Sequence, residues 1–174
     1  AARRDTLFAA NVWPSEPPEF RETWLTYLRG VDRVANDIMS AAALALGMPA
    51  DHFVPLLDKG PTVIRANNYQ RRPGAGAPLP NQMRMGAHTD YGSITVLLAD
   101  PVPGLQICDD AGRWHDVVPS PESFIVNVGD LLAEWSNDRW RSTLHRVVPP
   151  PPSADGAVRR RSVAWFQQPN WNAM

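Results

Sequence analysis

The stretch of sequence that decides the fold is residues 83–128, MRMGAHTDYGSITVLLADPVPGLQICDDAGRWHDVVPSPESFIVNV. It consists of short runs rich in Val, Ile and Leu, most of them separated by Gly, Pro, Asn or Asp. This pattern is typical of an all-β sandwich or barrel. The tetrapeptide DDAG at 109–112 lies between two of the runs and predicts a hairpin turn. Over the whole chain the pattern predicts eight strands, at residues 62–69, 83–88, 93–99, 105–108, 114–117, 124–128, 142–148 and 158–166.

The part of the chain before these strands has a helical pattern. Apolar residues recur every three or four positions over residues 18–47, which predicts one long amphipathic helix ended by Gly47 and Pro49. A second, short helix is predicted at 50–57, and proline-rich loops at 71–81 and 149–156. We therefore expect a mainly β fold with flanking helices. It would be a double-stranded β-helix (jelly roll) of residues 62–166, packed on the long N-terminal helix, in a single domain over residues 1–174.

The composition excludes several classes of function. The chain has 174 residues, and its net charge of -1 gives no basic surface for gripping nucleic acid. No apolar run approaches the roughly 20 residues that a membrane span requires, and no signal peptide opens the sequence. The single cysteine, Cys108, rules out an internal disulfide and fits a reducing compartment. We expect a cytoplasmic protein that binds neither nucleic acid nor a membrane, with its oligomeric state left open.

His88 and Asp90 form the first chemical motif, in the tripeptide His-Thr-Asp. Side chains two residues apart on a strand share a face, so both groups can point into a barrel. His145 lies in a late predicted strand, which an antiparallel fold can bring beside an early one. Two histidines and a carboxylate leave one side of a metal open, as non-haem Fe(II) sites require. Zinc hydrolases use similar ligands, commonly from an HExxH helix, which is absent here. Spacing alone leaves a structural histidine as an equal alternative at positions 88 and 145.

The last predicted strand carries a candidate anion clamp. Arg160 and Ser162 stand two residues apart and can both face inward, which leaves Arg159 and Arg161 facing solvent. A guanidinium beside a hydroxyl suits a carboxylate, because the planar fork binds both oxygens. The apolar pattern that follows indicates a buried strand, so an inward arginine would need an anion there.

These motifs together resemble the isopenicillin N synthase-like family of Fe(II)/2-oxoglutarate-dependent dioxygenases. The similarity is carried by residues 85–93 (MGAHTDYGS), 103–107 (PGLQI), 126–130 (VNVGD), 135–137 (WSN) and 141–148 (RSTLHRVV). Their order and spacing match over about residues 18–171. The resemblance implies that His88, Asp90 and His145 bind iron, and that Arg160 and Ser162 bind the distal carboxylate of 2-oxoglutarate.

A second part of the resemblance concerns residues 65–69 (RANNY). They are similar to a family strand in which an asparagine and a tyrosine approach the cosubstrate, which makes Asn67 and Tyr69 further candidates. The family usually has proline after this tyrosine, whereas Gln70 stands here. The family also carries an N-terminal region and a C-terminal helix, and we expect both to be absent or truncated in this chain.

The resemblance implies the reaction as well. Fe(II), the cosubstrate 2-oxoglutarate and O2 would give succinate, CO2 and a ferryl oxidant that attacks an unactivated C–H bond of a small molecule. Hydroxylation, desaturation or ring closure would follow from how the substrate is held. Strict alternation from His88 places Gly86 and Arg84 on its face, and Arg84 could bind an acidic group of the substrate or pair with a nearby carboxylate. The other candidate substrate residues are Met85, Tyr91, Phe166 and Gln168.

Three alternatives to this interpretation stay open. An oxidase of the isopenicillin N synthase kind would use iron and O2 without 2-oxoglutarate, and it can retain the Arg-x-Ser pair. A non-catalytic jelly-roll binding module would keep the fold without the chemistry. An isolated core fragment would fold correctly but lack activity for want of flanking segments.

Overall fold

The computed structural model describes residues 9–70, 74, 78–149 and 159–173. Two compact units are distinguished within it. One contains the described residues up to Thr62 together with those from Gln167 onward, and the other is Val63–Phe166. The predicted strand residue Val158 and most of the two predicted proline-rich loops lie outside the described residues. The single domain and the packing of the helix on the jelly roll stay predictions.

The first unit contains two helices, α1 (Phe20–Ala45) and α2 (Val54–Leu57). The long predicted helix is confirmed, and its buried residues recur at every fourth position, namely Val31, Ala35, Met39 and Ala43. α1 ends where Gly47 adopts a left-handed φ of 77°. There the Met48 N–H donates to the Ala43 carbonyl at 2.9 Å, a common way of ending a helix. α2 is shorter than predicted, because turns precede Val54.

The described residues of the second unit form eight strands and one helix. All eight predicted strands are present, with bounds that differ from the predicted ones by up to three residues. The strands are β1 (Val63–Gln70), β2 (Met85–His88), β3 (Ile94–Ala99), β4 (Leu105–Cys108), β5 (Trp114–Asp116), β6 (Ile125–Val128), β7 (His145–Val147) and β8 (Arg159–Phe166). They form two antiparallel four-stranded sheets in the orders β1-β8-β3-β6 and β2-β7-β4-β5. The fold is therefore mainly β with one long N-terminal helix.

The predicted hairpin turn joins β4 to β5. The Asp109 N–H donates to the Arg113 carbonyl at 2.9 Å, and Gly112 takes a positive φ of 75°. The helix α3 (Asp130–Trp135) follows β6 and was not predicted. Six residues are too few to establish a helical period in the sequence. Among the described residues, no helix has the length and apolar character to cross a membrane.

Candidate active site

The imidazoles of His88 and His145 and the carboxylate of Asp90 lie together in the second unit. His88 ends β2 and is directly paired with His145, the first residue of β7. Asp90 lies two residues beyond His88, just outside the strand. One carboxylate oxygen of Asp90, Oδ1, lies 3.8 Å from the Nε2 atom of each histidine. One ligand atom from each residue falls within 4.8 Å of the others, which is close enough for all three to hold one metal ion.

Backbone carbonyls fix which nitrogen of each imidazole is free. The Nδ1 atom of His88 lies 2.8 Å from the Gly86 carbonyl oxygen, and that of His145 lies 3.0 Å from the Thr143 carbonyl oxygen. A carbonyl only accepts, so Nδ1 carries the proton in each ring and donates it. In the neutral ring Nε2 then has the free lone pair, and in both residues Nε2 faces Asp90. This is how a protein prepares a histidine to bind a metal through Nε2.

The carboxylate of Asp90 is held by two side chains from β3 and β6. Its side chain is buried, and its other oxygen, Oδ2, accepts hydrogen bonds from Thr95 Oγ1 at 2.6 Å and Asn127 Nδ2 at 2.8 Å. Thr95 and Asn127 are directly opposite each other in the sheet. With Oδ2 occupied, Oδ1 is the oxygen turned towards the histidines. Neither residue was predicted from the sequence, although a polar side chain inside an apolar strand indicates a buried partner.

The start of α3 holds the backbone around Asp90. The Asp130 N–H donates to the Asp90 carbonyl at 2.7 Å, and the Gly129 N–H donates to the Ser93 carbonyl at 2.8 Å. A Cβ atom at position 129 would collide with the carbonyl of Gly92, so only glycine fits this close approach. α3 thus fixes the turn that carries the carboxylate.

Arg160 provides a buried cation near the triad. Arg160 and Ser162 are buried on β8, while Arg159 and Arg161 are exposed, which confirms the predicted alternation. Within the described part of the chain Arg160 forms no ion pair, and its Nε has no hydrogen-bond partner. Burial lowers the pKa of Arg160, and the nearby Tyr69 and Asp100 oppose that shift. A guanidinium that is only 2% exposed, with no carboxylate of the described residues within ion-pair distance, suits an incoming carboxylate.

Strand β1 brings the two remaining cosubstrate candidates to the same place. Tyr69 is paired with Arg160, and Asn67 is paired with Ser162. The guanidinium carbon of Arg160 lies 5.8 Å from the centre of the Tyr69 ring. All four residues and the triad line one cavity between the two sheets, open on one side, with about 740 Å³ of empty space including its mouth. Its lining is mainly apolar with a few converging polar groups, which is the usual composition of a small-molecule site.

The predicted substrate residues divide into two groups. Met85 and Phe166 line the cavity, whereas Arg84 does not, and Tyr91 is 81% exposed and also lies outside it. Gln168 belongs to the first unit, and its role stays a prediction. Arg65, to which our sequence analysis assigned no role, does line the cavity.

The expectation that Arg84 and Gly86 share the face of His88 is wrong, and a β-bulge explains why. Met85 is paired with Val147, and His88 is paired with His145. Three steps along β2 therefore match two steps along β7. One extra residue in a strand breaks the alternation of its side chains. Met85 consequently shares the face of His88.

The donor set fits a divalent metal with a chelating acid beside it. Two neutral imidazoles and one carboxylate from three separate backbone positions bind one side of an ion, which is the ligand set of non-haem Fe(II) sites. The unpaired, buried guanidinium of Arg160 fits the far carboxylate of 2-oxoglutarate, which would supply the missing counter-ion.

Comparison with known proteins points to the same chemistry. The family model of the 2OG-Fe(II) oxygenase superfamily matches residues 61–169. The 2-oxoglutarate-Fe(II) type oxidoreductase hxnY of Emericella nidulans is 40% identical over 142 residues, covering 79% of this chain and 40% of that protein. The validamycin A dioxygenase of Streptomyces hygroscopicus subsp. limoneus is 36% identical over 148 residues, covering 84% and 40%.

A solved structure is similar over most of the chain. It is the crystal structure of a full-length Neurospora crassa protein in complex with alpha-KG and thymine, and it matches with a TM-score of 0.82 and 37% identity. The match covers 91% of this chain and 49% of that one. The chain thus spans about 40% of the length of the two curated relatives and about half of the Neurospora crassa protein.

Proposed function

This chain belongs to the 2OG-Fe(II) oxygenase superfamily, and we propose that it is the catalytic core of an Fe(II)- and 2-oxoglutarate-dependent oxygenase acting on a small molecule. One observation carries the proposal. A single cavity is lined both by the triad of His88, Asp90 and His145 and by Arg160, a buried cation that forms no ion pair in the described part of the chain. A metal and a chelating dicarboxylate would complete this site.

The finer description of the fold is part of the proposal. Strands β1, β3, β6 and β8 form one sheet, and β2, β4, β5 and β7 form the other. This distribution of eight antiparallel strands supports a double-stranded β-helix, or jelly roll. We propose that residues 1–174 form a single catalytic domain that works in the cytoplasm, with a small-molecule substrate and no nucleic acid or membrane partner. The net charge of -1 supports that choice of partners.

The proposed roles follow from the atoms left free. His88 and His145 would bind Fe(II) through Nε2, and Asp90 through Oδ1, because their other polar atoms are already engaged. Arg160 and Ser162 would bind the distal carboxylate of 2-oxoglutarate. With O2, the bound iron and 2-oxoglutarate supply an oxidant strong enough to attack an unactivated C–H bond, leaving succinate and CO2.

The side chains of the cavity would orient the cosubstrate and the substrate and provide an apolar environment for them. Tyr69 and Asn67, opposite the clamp, limit how the cosubstrate can lie against β1. Apolar side chains of both sheets line the cavity, among them Leu97 and the buried Leu105. They would limit the access of water to a bound metal and its cosubstrate. Whether hydroxylation, desaturation or ring closure follows depends on which C–H bond Met85 and Phe166 leave nearest the metal.

The test is a screen of small metabolites scored by substrate-dependent succinate release. We expect at least one metabolite to stimulate succinate release by the unaltered chain, and His145→Ala to abolish it. His115→Ala is the matched control, because His115 is exposed and contacts Asp109 in the β4–β5 hairpin. Equal succinate release by both variants would contradict the iron assignment.

An anaerobic measurement separates the alternatives. Fe(II) and 2-oxoglutarate chelated together give a visible charge-transfer absorption band. We expect that band with the unaltered chain and its loss in His145→Ala. A binding module would give no band. An oxidase that takes all electrons from its substrate would consume O2 without releasing succinate.

A further inference from the structure

Arg65 is a second arginine of the cavity, distinct from the clamp. It lies on β1 with Asn67 and Tyr69, at alternate positions that share the cavity face, and it is paired with the small residue Ala164. Its guanidinium carbon is 6.0 Å from the centre of the Phe166 ring. Arg160, in contrast, lies beside Tyr69. Since Phe166 is six residues beyond Arg160 on β8, the two guanidinium groups lie towards different ends of that strand, and one small acid at Arg160 would leave Arg65 free.

No carboxylate satisfies Arg65 within the described residues. It forms no ion pair or hydrogen bond there, and its aromatic neighbour Phe166 has no oxygen to accept from the guanidinium plane. The N–H groups at the edge of that plane remain available, and they match the two oxygens of a carboxylate. Arg65 is exposed, so water already solvates it in part and its contribution will depend on ionic strength.

The charge balance of the cavity points to an anion at this position. Among its described lining residues the charged groups are Asp90, Arg65 and Arg160, when both imidazoles are neutral. A divalent metal and a doubly charged 2-oxoglutarate would cancel each other. The groups that line the completed site would therefore keep one positive charge, and Asp100, which lies outside the lining, acts on Arg160. Asp90 would face the metal and Arg160 the cosubstrate, so that remaining charge lies at Arg65.

We propose that Arg65 binds a carboxylate of the substrate, so that the enzyme acts on small monocarboxylic acids. The inference rests on the proposed function, because the charge balance assumes a bound metal and 2-oxoglutarate. It also replaces the sequence-based expectation for Arg84, which does not line the cavity. Phe166, lying against the guanidinium, would contact the part of the substrate next to its carboxylate.

Fluorine NMR of two matched probes tests the proposal. The probes are 4-fluorophenylacetate and its neutral amide, 4-fluorophenylacetamide, added to the chain saturated with Mn(II) and 2-oxoglutarate. Paramagnetic Mn(II) broadens the signal of any probe held in the cavity. We expect the acid to bind about tenfold more tightly than the amide. Arg65→Gln should reduce that preference below about twofold. Arg159→Gln, which alters an exposed arginine on β8, should leave it unchanged.

Each other result counts against the proposal. It is overturned if the acid and the amide bind equally, if the acid shows no binding at millimolar concentration, or if Arg65→Gln keeps the preference. Because saturating 2-oxoglutarate occupies Arg160, any preference for the acid that survives in Arg65→Gln comes from neither arginine. Melting temperature and 2-oxoglutarate affinity of Arg65→Gln should match those of the unaltered chain. Failure of the chain to bind 2-oxoglutarate would contradict the proposed function instead, and the probe pair can then be compared on the unloaded chain.

Discussion

Replacement of Asn127 by alanine tests how the metal-binding carboxylate is positioned. Asn127 Nδ2 donates to Asp90 Oδ2 at 2.8 Å, and the Asp90 side chain is only 8% exposed. Loss of this donor leaves Thr95, at 2.6 Å, as the side-chain donor that still holds Oδ2 in the described part of the chain. Asp90 can then rotate and present Oδ1 less often towards Nε2 of the two histidines. We therefore expect Asn127→Ala to weaken metal binding without abolishing it.

The size of the effect follows from the kind of hydrogen bond lost. A hydrogen bond to a charged group contributes about 1.5–3 kcal/mol, and about 1.4 kcal/mol corresponds to a tenfold change in affinity. The dissociation constant for Fe(II) or Mn(II) should therefore rise about 10- to 100-fold, the range usual for residues that orient a metal ligand. Thr95→Val should have a comparable effect, whereas Thr95→Ser keeps the hydroxyl and should restore most of the affinity.

The assay is an anaerobic metal titration of each variant, with the melting temperature of the metal-free chain measured alongside. Asn68→Ala is the matched control, because Asn68 is exposed on β1 and accepts from Arg159. Asn68→Ala should bind metal within about twofold of the unaltered chain. If Asn127→Ala and Thr95→Val also bind metal that well while folded, these two side chains do not position Asp90, and the reasoning fails.

Replacing Arg160 by leucine should weaken 2-oxoglutarate binding to the metal-loaded chain by at least about tenfold, because a buried cation is lost. Arg161→Leu, on the exposed face, should change it less than about twofold in the same calorimetric titration, and equal effects would contradict the register of β8. Gly129→Ala should lower melting temperature and metal affinity together, because its methyl group would collide with the carbonyl of Gly92. A Gly129→Ala variant as stable as the unaltered chain would show that the backbone at Gly92 can move to make room for the methyl group. Leu132→Ala should lower the free energy of unfolding in urea by about 2–5 kcal/mol, since the side chain is 1% exposed. A loss below about 1 kcal/mol would show that the core around α3 refills the space.

Much of the fold could be predicted because its signals are local. Strand periodicity and turn residues located all eight strands and the β4–β5 hairpin, and the four-residue spacing of apolar side chains located α1. The helix α3 escaped prediction because it is short, and because its role lies in backbone contacts. The donation from Asp130 to the Asp90 carbonyl and the close approach of Gly129 depend on a neighbouring turn. The spacing of apolar residues in the sequence does not predict backbone contacts of this kind.

Site residues could be predicted where their spacing within one strand is enough to place them on the same face. Spacing of two residues was enough to place Arg160 and Ser162 on one buried face. The same spacing rule gave the wrong face for Met85 and Arg84, because a bulge in β2 shifts the register. A strand of four residues is too short for its sequence to predict a bulge. Thr95 was missed for a different reason, since its relation to Asp90 depends on folding of the chain between them. Arg65 was missed although it stands two residues before Asn67 on β1, a spacing that places both side chains on the cavity face.

The most direct test of the central claim is anomalous diffraction from crystals of the chain grown anaerobically with Mn(II) and 2-oxoglutarate. We predict one metal peak within bonding distance of Nε2 of His88, Oδ1 of Asp90 and Nε2 of His145. We also predict a 2-oxoglutarate carboxylate paired with the guanidinium of Arg160. A peak at another position, or 2-oxoglutarate bound away from Arg160, would contradict the account.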